Sequence, residues 1–539
     1  MVNTDKVPSQ GDDAEKYHSL GKSIEDVEHK RKDTLKRALT ARQIQMIAIG
    51  GTIGTGLFLG TGKSLTTGGP ASMLIAYAIV GVIVYFTMLS LGEMSTYIPI
   101  AGSFNTYANR FVDEGLGFAL TWNYWFNDAV SVASDLTAAQ MIFSYWDTDF
   151  PGWALSLIFL VFLVIINAID VKAYGEIEYW LSLLKVITII IFIVVGICVN
   201  LGANRGHGYI GFQYWKLLDA PFVGGFGGFV SVFVTAAFAY GGTESIGITA
   251  GETKNPRKNV PRVIRNVFWR ILIFYIMSIF VIGIDVPYNE PNLSQKNARY
   301  SPFTLVFKMT GFEVAPSFIN AVVLTSVISA GNHALFAGTR LLHTLGEHGH
   351  APKIFTRLTK NRVPIYSLLA TSAISCVCFA SSYVGSGALW SWLQNLVGVS
   401  NQISWIAIGL TSYRFRKAYE IQGKDPNDLP FKNPLYPYGP IFVIVANSVL
   451  VLVQGWSSFK SSPTGGFDFV SFLSYYIQIP LMAIMWLGWK FSQGTKVVKY
   501  EEMDIETDRY YDTAEDLMDS AKVTRGVRGF FKSILNFLF

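Results

Sequence analysis

The stretch Gly50-Gly51-Thr52-Ile53-Gly54-Thr55-Gly56 lies inside an apolar run, Ile44 to Leu59, that is long enough to enter a bilayer. Glycine in a helix interior costs on the order of 1 kcal/mol relative to alanine. A backbone group that loses its hydrogen bond in hydrocarbon finds no water to replace it. So glycine-rich a segment makes sense if the helix is broken here on purpose. A break opens the N–H groups of one half, with its positive dipole end, to an anion such as a carboxylate. The other reading is a glycine-faced helix packed closely on a neighbour, the commoner use of small residues in membranes.

The composition around that stretch supports a membrane setting. Of 539 residues 51% are hydrophobic and 15% charged, where a soluble chain carries roughly 25% charged residues. The net charge of +5 matters less than where the charges sit. Cys198, Cys376 and Cys378 lie in apolar runs. They lack the number and spacing of a disulfide framework or metal site and are expected as small core residues.

Working outward, apolar length predicts about twelve transmembrane helices. Their approximate limits are 44–63, 71–96, 117–146, 152–169, 179–201, 224–249, 267–286, 314–340, 364–384, 389–412, 437–457 and 468–489. Basic residues precede span one (His29 to Arg42). They recur after span six (Lys254, Arg257, Lys258), span eight (Arg340, Lys353, Arg357) and span ten (Arg414, Arg416, Lys417). The alternate loops are poorer, with only Lys63 after span one. The positive-inside rule then places both termini in the cytoplasm. The expected organisation is a tail over 1–43, a membrane domain over 44–490 and a tail over 491–539. The last stretch, Gly529 to Phe539, is amphipathic if helical and suited to a lipid interface.

Span six echoes span one. Ala239-Tyr240-Gly241-Gly242-Thr243 repeats the pattern of Ala48-Ile49-Gly50-Gly51-Thr52. Five spans separate the two starts, an odd number, so the repeats have opposite orientations. Paired glycine-interrupted spans at matching places in two halves point to a transporter's substrate site.

Ionisable residues within spans are functional candidates. Glu244 follows the second glycine pair, and Lys185 lies in span five. Asp128 and Asp135 are seven apart in span three, on one helical face. For Glu244, Asp135 and Lys185 the alternative is a buried ion pair that fixes helix packing. Glu93 and Glu252 suit a structural or gating role at the cytoplasmic boundary. His333 reads as a packed polar residue rather than a proton relay. Phe238 and Tyr240 flank the second break, where an aromatic can close over a ligand.

At these residues the chain resembles the amino acid–polyamine–organocation permeases, and within them the fungal amino-acid and bacterial lysine-specific permeases. The matching stretches include Gly50 to Phe58, Ser90-Leu-Gly-Glu-Met94, Tyr174 to Trp180, Gly242-Thr-Glu244, Asn255 to Arg262 and Ser329-Ala-Gly-Asn332. The resemblance runs from about residue 40 to 490. It implies an all-α membrane protein, a five-plus-five inverted-repeat core with broken helices one and six plus two extra C-terminal helices, working by alternating access. By resemblance, the substrate carboxylate meets Thr52, Gly54, Thr55 and Gly56. Its amino group meets carbonyls near Ile49 and from Phe238 through Tyr240 to Gly241. Phe238 acts as a gate, Lys185 and Glu244 are linked to proton coupling, and Asp135 stands where relatives for cationic amino acids carry an acid. Asp128 departs from an aromatic usual in the family, and Val397 to Gln402 departs from its usual span-ten pattern. The tail lacks the terminal Phe-Trp-Cys of fungal members.

The expected function is proton-coupled uptake of basic amino acids, lysine first and then arginine, across the plasma membrane. The alternatives are a broad-range or neutral amino-acid permease, or a non-transporting sensor. No nucleophile–base or metal constellation suggests an enzyme. The expected partners are amino acid, protons and membrane lipid, with trafficking or ubiquitin-ligation machinery at the tails. No cofactor, metal or nucleic acid is expected.

Overall fold

In the computed structural model the described residues are 53–511, apart from 101, 147–148, 170, 207, 246, 248–255, 294–300 and 460–465. Both tails' outer parts, including the amphipathic stretch after Gly529, lie outside them, as do Glu252 and Lys254. Among the described residues the secondary structure is helical throughout, with no strand.

Each expected span from the second to the twelfth falls on helix. Among the described residues seven helices are long and apolar enough to cross a bilayer, or eight if Phe469–Tyr476 and Gln478–Gln493, bent by 43°, are one span. The remaining spans differ for physical reasons. Glu114–Phe143 and Ser386–Ile421 are long but bury polar residues such as Asp128, Asp135, Asn395 and Asn401. Gly225–Tyr240 is apolar but stops after 16 residues, at the second glycine pair.

Gly60–Tyr97 is two spans, not one. Gly69 has φ 81°, a conformation that favours glycine, and Pro70 follows it. Ser64 Oγ and Tyr77 OH lie 3.4 Å apart. Thirteen residues of unbroken helix would separate them by about 20 Å, so the chain reverses at Gly69. Lys63 therefore sits inside a helix and not in a loop. Arg340 and Arg416, expected as loop charges, are likewise buried within long helices.

Spans one and two pack on spans six and seven, while span three packs on spans eight and nine. Span ten touches spans three and six and adjoins span eleven. The short helices Phe104–Phe111 and Pro302–Met309 follow spans two and seven. They are of equal length and five spans apart, as an inverted repeat requires. Ile158, Phe162, Ile165, Val194 and Ile484 stand exposed on the outside of the bundle, a surface made for lipid. Cys198 and Cys376 are also exposed, and of the three cysteines only Cys378 is buried.

At the basic end, Glu93 is fully buried and receives two hydrogen bonds from Arg416, one from Nε at 2.8 Å and one from Nη2, and a third from Asn433 N at 2.6 Å. This ties span two to span ten and the segment after it. Removing one member of such a pair strands a buried charge, at a cost of about 3–5 kcal/mol. Arg416→Met is therefore predicted to lower the unfolding temperature of the purified protein sharply, and adding Glu93→Gln to recover much of the loss. Equal damage in single and double variants would show that Arg416 acts through packing alone.

Residues 494–511 have no helix of their own, yet they are docked along this end. Val498 N donates to Val112 O and Tyr510 N to Tyr97 O, each at 3.0 Å. Gln422 Nε2 donates to the carbonyls of Tyr500 and Met503, and Met503 and Ile505 are buried. Lys490 pairs with Asp113, and Arg110 with Asp508 at 2.7 Å. These contacts strap the chain after span twelve across the ends of spans two, three and ten.

Candidate functional site

The described part of span one begins at the break. Gly54 is extended (φ −155°, ψ −141°), and its carbonyl accepts from Leu57 N and Phe58 N at 3.1 and 3.2 Å. The leading amides of any helix lack intrahelical acceptors, and here they belong to Thr55 and Gly56. Close approach demands the glycines. A Cβ on Gly54 would lie 2.5 Å from Ala330 Cβ in span eight, and one on Gly56 would enter the backbone of Ala239 in span six. The two breaks are thus in contact.

The second break is formed by Gly241 (ψ 153°) and Gly242 (φ 79°), after which the chain turns through Thr243 to Ser245. The carbonyls near it already have donors. Gly241 N bonds Phe238 O, Tyr275 OH bonds Ala239 O and Thr243 Oγ1 bonds Tyr240 O.

A cleft with about 590 Å³ of open space lies between the breaks. Gly54, Thr55 and Gly56 form one wall, and Phe238 and Gly241 another. Span three contributes Asn127, Asp128 and Asp135, span eight His333, and span ten Val397 and Asn401. Beyond the first break, Ser301 Oγ donates to Phe58 O at 2.6 Å, and the Phe58 and Phe303 rings lie 4.8 Å apart.

Of the candidate residues, the structure brings Gly54, Thr55, Gly56, Asp135, Phe238 and Gly241 together on this cleft. Ile49 and Thr52 lie outside the described residues. Tyr240 and Glu244, expected beside the substrate, are not on its wall. Tyr240 is buried and stacks on Tyr275, with centroids 4.3 Å apart. Glu244 is buried behind the break, where Tyr124 OH (2.7 Å) and Trp405 Nε1 (3.1 Å) donate to its two oxygens. That arrangement makes Glu244 a bolt between spans three, six and ten.

Asp135 accepts a hydrogen bond from the Thr55 hydroxyl, linking span three to the first break. Lys185 is fully buried off the cleft, 3.9 Å from Glu178. Glu178 in turn accepts from Ser329 at 2.7 Å. His333 joins Tyr174 and Ser245, each at 2.9 Å, and so bridges spans five, eight and six. Sequence reasoning missed Glu178, although it stands seven residues before Lys185, on the same helical face. It also left Asp128 and Asn401 out of the site. Asp128 is buried on the cleft wall, and its Oδ2 has no hydrogen-bond partner among the described residues.

The contact at Gly54 yields a prediction. Gly54→Ala is expected to abolish substrate binding without loss of folded protein, because the methyl must displace span eight at the cleft. Ala330→Gly in the same chain is expected to restore binding in part, read by equilibrium binding of radiolabelled substrate to purified protein. Unchanged binding in Gly54→Ala alone would remove the close approach as a requirement.

The chain is similar to known proteins along most of its length. The amino acid permease family profile matches residues 43–502. The lysine-specific permease LysP of Escherichia coli is 45% identical over 472 residues, 87% of this chain and 96% of its own length. A probable amino-acid permease of Schizosaccharomyces pombe is 48% identical, over 88% of this chain and 96% of its own. The histidine permease HisP of Lactococcus lactis is 42% identical, over 88% and 99%.

Proposed function

Because the chain belongs to the amino acid permease family, we propose that it takes up basic amino acids, lysine first, across the plasma membrane, driven by protons and by alternating access. The carrying observation is the pair of carboxylates on one cleft wall. Asp135 faces the first break, and Asp128 keeps an oxygen without a partner. A substrate ammonium leaving water needs a charged partner, and this wall offers two. The leading amides at Thr55 and Gly56 suit the α-carboxylate. Lys185 and Glu178, buried beside the cleft, suit proton coupling. In this reading the Thr55–Asp135 bond couples substrate arrival to Lys185. Both termini then lie in the cytoplasm, where trafficking and ubiquitin-ligation machinery meets them, and lipid surrounds the bundle.

The test is uptake of radiolabelled lysine into proteoliposomes under an imposed proton gradient, with competing amino acids. Arginine should compete strongly and leucine weakly, and a protonophore should collapse accumulation. Equal competition by leucine would favour a broad-range carrier, and binding without uptake a sensor.

A further inference from the structure

A second pocket, with about 550 Å³ of open space, lies towards the end away from the strap. It is built on the same two broken spans. Lys63 is nine residues beyond Gly54, roughly 13 Å along the helix, and Ser231 and Thr235 precede Phe238 in span six. Among the described residues ten line it: eight carry hydroxyls, one is Lys63 and one, Val232, is apolar, and none of the ten is acidic.

Lys63 is only 9% exposed. Its Nζ donates to Gln394 Oε1 at 3.0 Å and Asn395 Oδ1 at 3.2 Å, and Trp390 lies 6.0 Å away. Both acceptors are neutral amides, and an ammonium has three donors. Asp468, which neighbours the pocket through Ser471, is engaged with the amide and hydroxyl of that residue as a helix cap. The second observation is Ser458. It is 1% exposed and lines the pocket, and its Oγ has no hydrogen-bond partner among the described residues. A cation would be repelled here, and a neutral guest would leave the ammonium without a counter-charge. An acceptor that is itself charged would use the third Lys63 proton and the Ser458 hydroxyl together.

We propose that the pocket formed by Lys63, Ser458 and the surrounding hydroxyls binds a small monoanion, either a carboxylate or a halide. The carboxylate source is an amino acid held at the far end before it reaches the cleft, which rests on the proposed function. The halide source is independent of it.

The experiment uses purified full-length protein, with tryptophan fluorescence and thermal unfolding read together, since Trp390 adjoins Lys63. Sodium chloride and sodium acetate are titrated against sodium sulfate, a dianion, at constant ionic strength, without amino acid. A saturable response is expected. Lys63→Met should weaken it at least about tenfold, the loss of a charged hydrogen-bond partner, and Ser458→Ala should weaken it less. Lysine binding at the cleft serves as the folding control. If Lys63→Met does not fold, Ser458→Ala carries the test. Amino acids are then titrated in sodium sulfate. A second saturable phase lost in the variants, with no response to chloride or acetate, assigns the site to the substrate carboxylate. No saturable response to any of these anions, or one unchanged in both variants, would overturn the proposal. Failure of transport with a persisting chloride or acetate response would instead indict the proposed function alone.

Discussion

Asp135→Asn is expected to weaken lysine uptake about a hundredfold while changing leucine uptake far less. The substitution keeps the shape of the side chain and an oxygen for the Thr55 hydroxyl. What it removes is the charge on the cleft wall. A desolvated ammonium that loses its carboxylate is left uncompensated, a loss on the order of 3 kcal/mol, and a neutral side chain bears no such cost. Asp128, two turns away on the same wall, provides the internal comparison. If the two acids share the substrate charge, Asp128→Asn has a similar but smaller selective effect, and the double variant abolishes lysine uptake. The competing role for Asp135 is to hold span three to the first break through Thr55. In that case lysine, arginine and leucine uptake fall together, along with folded protein at the surface. Uptake of all three, normalised to surface protein, separates the two, and a uniform loss rejects the specificity role.

Lys185→Met is expected to lose proton-driven accumulation altogether while retaining exchange of amino acid across the membrane. Lys185 is fully buried, with Glu178 3.9 Å away. Removing the ammonium alone strands Glu178 in a dry interior, which destabilises the fold by several kcal/mol. The informative variant is therefore Lys185→Met with Glu178→Gln, in which both charges leave together. In that double variant folded protein is expected to recover and exchange to persist, while uphill accumulation stays lost. If the double variant still concentrates lysine, with undiminished sensitivity to a protonophore, the pair is a structural clamp and coupling lies elsewhere. His333, which bridges Tyr174 and Ser245 on the cleft wall, would then be the next group to replace.

The sequence by itself determined the fold class, because apolar length and glycine placement are local properties that hydrocarbon punishes when they are wrong. A twenty-residue apolar run has one way to satisfy its backbone, so spans two to twelve were legible as written. The second break was legible for the same reason, since Gly241-Gly242 cannot continue a helix at low cost. Side-chain assignments were less legible, because a residue's partner lies on another span at a distance in sequence that no periodicity encodes. Asp128 and Asp135 share a face by spacing alone, but only packing against span eight and the two breaks makes that face a cleft. Tyr240 and Glu244 adjoin the second break in sequence, yet the helix and the turn direct them into packing with Tyr275, Tyr124 and Trp405. Charge counting misread Lys63, Arg340 and Arg416, because a long helix carries them inside, where amide oxygens, an aromatic face or a buried carboxylate receives them. The docked strap was invisible for a related reason. Its anchors are the backbone carbonyls of Tyr97, Val112, Tyr500 and Met503 and the amides of Val498 and Tyr510, and every residue type carries such groups alike, so only the tertiary structure decides which of them meet.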